Sequence, residues 1–254
     1  MEQAFGGRAP EEVVEIHLED LAAAERQITN PDVGELDAVV LGRGVTAYGP
    51  LQRNVYNNED VERYDYDPAR ARSLLEEAGC VTGENGFYTR NGQEVGFVLS
   101  VGAGDQVRLD MAQAAAQQLQ AAGINCTVEV PAKVDWGGQM AYLIGWGSPF
   151  DADDHTYKVF GTGKGANYSG YSNPQVDRYL TEARQSDDPA VRKEAYANFQ
   201  TALAEDPAFA FICYVDADYV ASAALKGITP GTVLGHHGVG IFWNVTEWTL
   251  EANT

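Results

Sequence analysis

The strongest constraint in this sequence is a run of capped helices and turn-bounded apolar segments between residues 67 and 205. Asp67-Pro68 opens a helix that Gly79 closes, because aspartate caps an N-terminus, proline suits the first position and glycine ends a helix. Residues 86–101 follow, with Asn91-Gly92 between two strand-like runs, the pattern of a β-hairpin. An Ala/Gln-rich helix from Asp105 to Ala122 is stopped by Gly123, and Ile124–Val130 reads as a strand. Hairpin, helix and strand in that order predict an α/β or α+β lobe with helices covering a sheet.

Further along, Met140–Trp146 reads as a buried strand ending in Gly145-Trp146-Gly147. Residues 148–173 read as one irregular stretch, longer than an ordinary connection and therefore expected to form a functional surface. Two helices, about 174–186 and 189–205, open at Asn173-Pro174 and Asp188-Pro189. Phe209–Val220 and Ile241–Leu250 are expected to be strands. Near the start, residues 11–28 place Val14, Leu18, Leu21 and Ala22 on one side at helical spacing.

Charge narrows the partners. Lys and Arg number 17 against 37 Asp and Glu, a formal charge of −20 over 254 residues, which repels a phosphate backbone and argues against nucleic acid. Hydrophobic residues at 44% and aromatics at 10% are values of a folded chain. No apolar run approaches the roughly 18–20 residues of a membrane span, and no export signal is expected after Met1. Cys80, Cys126 and Cys213 lack metal-type spacing; Cys126 and Cys213 are expected to pack as small buried hydrophobes.

Several groups carry candidate chemistry. Asp151, Asp153, Asp154 and His155 offer carboxylate and imidazole ligands for a divalent ion, yet lack the spacing of an EF-hand and read rather as a solvated loop with helix-capping aspartates. His236-His237 sits among glycines; adjacent side chains of an extended chain point to opposite faces, so both reach one ion only in a turn. Metal-chelate contact, hydrogen bonding to a ligand and a structural role all stay open for that pair. Gly161-Thr162-Gly163-Lys164-Gly165 lacks the full phosphate-loop pattern. Trp146, Phe150, Tyr157, Phe160, Tyr168 and Tyr171 crowd the irregular stretch, where rings either join the core or line a small-ligand cleft. With no nucleophile elbow and no recognisable acid–base pair, the reading is a binding protein and not an enzyme, a small-peptide hydrolase being the remote alternative.

The segment Tyr66-Asp67-Pro68-Ala69-Arg70-Ala71-Arg72-Ser73-Leu74-Leu75-Glu76-Glu77-Ala78-Gly79 resembles one that recurs in family 5 extracellular solute-binding proteins, the substrate receptors of peptide and nickel ABC importers. Similar stretches follow in the family's order: QQLQAAGI over 117–124, Gly145-Trp146 with its acidic loop, Tyr171–Asp177 with the helix pair ending at Leu203–Pro207, and Phe242-Trp243-Asn244-Val245. The resemblance implies an α/β fold of the class II periplasmic-binding-protein type, a mixed sheet with flanking helices. Residues 45–210 would be the second ligand-binding lobe and 211–254 the segment returning to the first; residues 1–44 match poorly, though 36–44 resemble the end of a family helix. It implies, too, a chain that is only the later part of a longer receptor, extracytoplasmic and often a lipoprotein, which captures a peptide or other small amine-bearing solute and passes it to a membrane permease.

By position, Trp146 resembles the family's cleft tryptophan and Phe150 an aromatic cleft position. Where peptide-binding members carry an aspartate for the peptide's amino group, this chain has Pro149, so charge recognition would shift to Asp151, Asp153, Asp154 or His155. Tyr168 and Trp243 complete the candidate set, no cofactor is expected, and His155, His236 or His237 would serve the alternative of a nickel or other metal-chelate receptor. A lobe with an uncovered contact face is expected to self-associate.

Overall fold

The computed structural model describes residues 39–135, 138, 140–146, 151–216, 220–229 and 240–251; the helix expected over 11–28 lies outside them. Helix α1, Pro68–Glu77, begins where the Asp67 carboxylate accepts the N–H groups of Ala69 and Arg70, and buries Ala71 and Leu75 one turn apart. Gly79 ends it at φ 82°, letting the Cys80 N–H reach back to the Leu75 carbonyl at 2.9 Å. Three short antiparallel strands follow: β2 (Val81–Thr82), β3 (Tyr88–Arg90) and β4 (Gln93–Glu94). Asn91 and Gly92 both take positive φ, 53° and 79°, as a two-residue hairpin turn requires.

Strand β5 (Gly96–Val101), helix α2 (Gln106–Ala121) and strand β6 (Asn125–Glu129) form a parallel crossover unit. Strand β7 (Ala141–Leu143) pairs parallel with the other edge of β5, giving the order β6-β5-β7. Ala71 and Leu75 of α1 and Ala116 and Leu119 of α2 pack with Val95, Ile124 and Cys126 into one core. Each such Leu or Ile contributes about 1.5–3 kcal/mol when fully buried.

A second core is helical. Helix α3 (Ala152–Phe160), α4 (Pro174–Gln185) and α5 (Pro189–Glu205) open on the caps Asp151, Asn173 and Asp188. Val176, Leu180 and Ala183 of α4 meet Ala195, Tyr196, Phe199 and Leu203 of α5, with Val159 and Phe160 of α3. The Phe160 ring lies 5.6 Å from Phe199 and edge-on to Phe209 at 5.4 Å.

The chain enters and leaves this body side by side. Strand β1 (Gly44–Thr46) pairs antiparallel with β8 (Cys213–Val215), Gly44 opposite Val215 and Thr46 opposite Cys213. Val40, Met111, Leu143 and Ile212 pack beneath that ribbon. A further unit joins β9 (Leu225–Lys226) to β10 (Thr249–Leu250), with a 3-10 helix over Gly240–Glu247 between them. Its pin is Asn244, 3% exposed, which donates to the Gly227 carbonyl at 2.8 Å and accepts from Trp248 Nε1 at 2.9 Å.

Four expectations need correction. Residues 148–173 are not irregular throughout, since α3 occupies 152–160: Asp151 caps it, Asp153 and Asp154 suit its first turn, and Ala152, Thr156, Val159 and Phe160 face the core. Among the described residues of Phe209–Val220 only Cys213–Val215 is strand, paired with β1, because Phe209 and Phe211 turn their rings into the helical core. Residues 241–250 are mostly 3-10 helix, the buried Asn244 side chain overriding an alternation that looked like a strand. Cys126 is buried as expected, but Cys213 is half-buried at the ribbon, its thiol pushed up by burial. Among the described residues no helix is long and apolar enough to cross a membrane.

Candidate functional site

Parallel strands leave their carboxyl ends and the following helix N-termini on one edge, where open α/β sheets bind ligands. Here that edge holds the ends of β5 and β7 and the first turn of α2. Asp105 caps α2 by accepting from Arg108 N at 3.0 Å, and its carboxylate also pairs with Arg108 Nη1 at 3.0 Å. The Arg108 guanidinium then lies so close to Gly145 that a methyl group there would collide with it. Glycine at 145 is what lets a cation of α2 reach the end of β7.

Trp146 follows immediately. Its ring stacks on Tyr168, centroids 6.1 Å apart and planes 16° from parallel, and the two remain 36% and 43% exposed. Tyr168 comes from the turns after α3, fastened by Asn167: its amide nitrogen donates to the carbonyls of Gly161 at 3.0 Å and Tyr171 at 2.7 Å, and its oxygen accepts Tyr171 N–H at 3.0 Å. The stack therefore joins a residue of the sheet body to one held by the helical body.

The acidic candidates sit at the start of α3. Arg192 of α5 donates to Asp151 at 2.6 Å, Arg184 of α4 lies 3.3 Å from Asp153, and Lys158 pairs with Asp154 at 3.0 Å. Burial works to raise the Asp151 carboxyl, but hydrogen bonds from Arg192 and the Asp153 N–H, with the Arg192 charge, hold it below its ordinary value. Burial raises Asp153, opposed by Arg184. Arg192 has its guanidinium 5.2 Å from the Tyr56 ring centre and 5.7 Å from that of Tyr196.

Of the residues singled out in the sequence, Trp146 and Tyr168 are brought together, and Asp151, Asp153 and Asp154 share the first turn of α3 or its cap. Trp243, 43% exposed, stands on the 3-10 helix of the β9–β10 unit. His155 lies in α3, its side chain outside the described set, as are Phe150, His236 and His237. Among the described residues no group of three or more His, Cys, Asp or Glu is placed to hold a metal ion. Sequence reasoning missed Arg108; its signal was an arginine in the first turn of a helix that follows a strand. An exposed aromatic face at a strand end that a guanidinium reaches through Gly145 suits a ligand with a flat or apolar portion and a carboxylate.

Known proteins resemble this chain along most of its length. Residues 36–168, just over half of the chain, match the model for "Bacterial extracellular solute-binding proteins, family 5 Middle". Protein XP55 of Streptomyces lividans is 36% identical over 216 residues, covering 82% of this chain and 39% of that protein. The oligopeptide-binding protein AppA of Bacillus subtilis is 26% identical over 230 residues, covering 84% of this chain and 40% of its own length. The crystal structure of NikZ from Campylobacter jejuni in complex with Ni(L-His) superposes with a TM-score of 0.81 at 29% identity, over 93% of this chain and 50% of that one. The chain thus spans about two-fifths of the length of these curated relatives. Its fold is of the class II periplasmic-binding-protein type, and the chain belongs to the bacterial extracellular solute-binding proteins of family 5.

Proposed function

We propose that this chain forms the ligand-capturing lobe of an extracytoplasmic substrate receptor for an ABC importer. The observation that carries the reading is the exposed Trp146–Tyr168 stack at the carboxyl edge of the parallel sheet, with Arg108 against the preceding Gly145. The solute is a peptide or another small molecule bearing an amine and a carboxylate. Its apolar part lies on the two rings and its carboxylate faces Arg108, while a surface of formal charge −20 favours the approach of a cationic amine.

The β1–β8 ribbon supports residues 45–210 as the limits of the lobe. Gly44 opposite Val215 brings the entry and exit of residues 45–210 to one place, with Asp216 N–H bonded to the Arg43 carbonyl at 2.8 Å. Two adjacent crossings let such a lobe swing as a unit, and residues 211–254 then return to a first lobe. Ligand bound between lobes selects the closed form, because it contacts both only there. The closed form is what a permease would receive.

The test is a titration with tripeptides and with their C-terminal methyl esters. Free tripeptides should bind at least tenfold more tightly than the esters, and Arg108→Gln should erase that preference. Equal binding of acid and ester to the wild-type chain would contradict the carboxylate assignment.

A second reading, capture of a nickel chelate, draws its support from the Campylobacter jejuni NikZ structure in complex with Ni(L-His). Histidine supplies the same amine and carboxylate to such a complex. Competition between nickel–histidine and tripeptides for Trp146 fluorescence separates the two readings.

A further inference from the structure

The acids at the start of α3 face two arginines of neighbouring helices, which bears on the stack above them. We propose that Arg192, through Asp151, is a positioning residue for the Trp146–Tyr168 stack; the proposal rests on the ligand-capture reading only for its effect on binding. Helix α3 lies between the two halves of the stack. Its cap Asp151 is five residues after Trp146, and Tyr168 is eight residues after its last residue, Phe160. The turn bearing Tyr168 is tied back to that helix, Ala166 N–H reaching the Lys158 carbonyl at 3.2 Å and Asn167 the Gly161 carbonyl. A rotation of α3 on α4 and α5 would therefore carry Tyr168 with it and alter its face toward Trp146.

Packing of Ala152, Val159 and Phe160 in the helical core restrains that rotation. Two ion pairs restrain it further. Arg192, its side chain only 19% exposed, lies beside the paired rings of Tyr56 and Tyr196, 5.2 and 5.7 Å from their centres, and from there grips the cap at 2.6 Å. Arg184 reaches Asp153 from α4 while covering the Tyr157 ring at 4.0 Å. A planar guanidinium packs against aromatic rings and still directs N–H groups at a carboxylate, which an ammonium cannot reproduce. The carboxylates of Asp151 and Asp153 thus face protein cations, and their part in recognition is indirect.

The experiment labels the chain with 5-fluorotryptophan and follows the Trp146 resonance, assigned with Trp146→Phe, in unliganded protein. Arg192→Lys and Asp151→Asn should each shift or broaden it, whereas Arg70→Lys, on the exposed face of α1 and paired there with Glu77, should not. Asparagine still caps a helix, so Asp151→Asn keeps α3 folded while weakening the grip, and decides alone should Arg192→Lys fail to fold. Tripeptide affinity of both variants should fall about tenfold, the equivalent of about 1.4 kcal/mol. A shifted resonance with no tripeptide bound by the wild type supports the positioning role and counts against the ligand. An unmoved resonance in both folded variants overturns the positioning role, whatever the wild type binds.

Discussion

The sheet core and the helical core place their charged and amide groups differently. In the sheet body the polar ties join one strand or turn to the next: Glu94 joins Asn85 and Asn125, each at 2.5 Å, and Ser100 donates to Glu129 at 2.6 Å. Backbone ladders fix the strands, so the edge bearing Arg108 and Trp146 is set mainly by the main chain. The helical body has no ladder, and its shortest helix is oriented by arginines reaching across to its cap. One half of the proposed ligand face is therefore built into the fold, while the other is adjustable through side chains.

That contrast can be broken most forcefully in the cores. Phe199→Ala, at a fully buried position among Phe160 and the helices, should cost about 3–5 kcal/mol in urea unfolding. A loss below 1 kcal/mol would mean that the helical core is not packed as described. Gly123→Ala strains the sheet body instead: φ is 95° and the new methyl would sit 2.7 Å from the Tyr88 ring, for a loss of about 1–3 kcal/mol. Asp67→Ala removes the cap of α1 and should cost about 1 kcal/mol by the same measurement.

The smallest effect concerns pH. Asp151 is depressed in the fold, so its stabilisation is present above the ordinary aspartate value and is lost as pH falls through the lower folded value. Its side chain is about half exposed, which limits the contribution to about 0–1 kcal/mol. Asp151→Asn should flatten the acid limb of a stability–pH curve by that amount. Asp153, raised by burial, has the opposite sign: its carboxyl binds its proton more tightly in the fold, so protonation there favours folding as pH drops through the raised value.

How much of this was legible in the sequence follows the same division. Asp67-Pro68, Asn91-Gly92 and Gly123 each carry a local conformational demand, and α1, the hairpin and the end of α2 stand where those residues put them. Trp146 was legible as a ring at a strand end. Helix α3 was not, because acids and a histidine crowd its first turn and read as a solvated loop, although a cap followed by acids is also a helix start. Arg108 escaped notice for a longer-range reason. Its place beside Gly145 depends on β7 pairing with β5 across forty residues of chain, which no local spacing reports. Asn244 likewise takes its role from the Gly227 carbonyl, distant in sequence.

The central claim is that the Trp146–Tyr168 face with Arg108 captures a small solute. Native mass spectrometry of the chain, purified without dialysis and then mixed with tripeptides, tests it directly. The account predicts adducts of peptide mass that fall at least tenfold in occupancy with Trp146→Ala. Adducts of undiminished occupancy in that variant, or none in the wild-type chain at millimolar tripeptide, would contradict it.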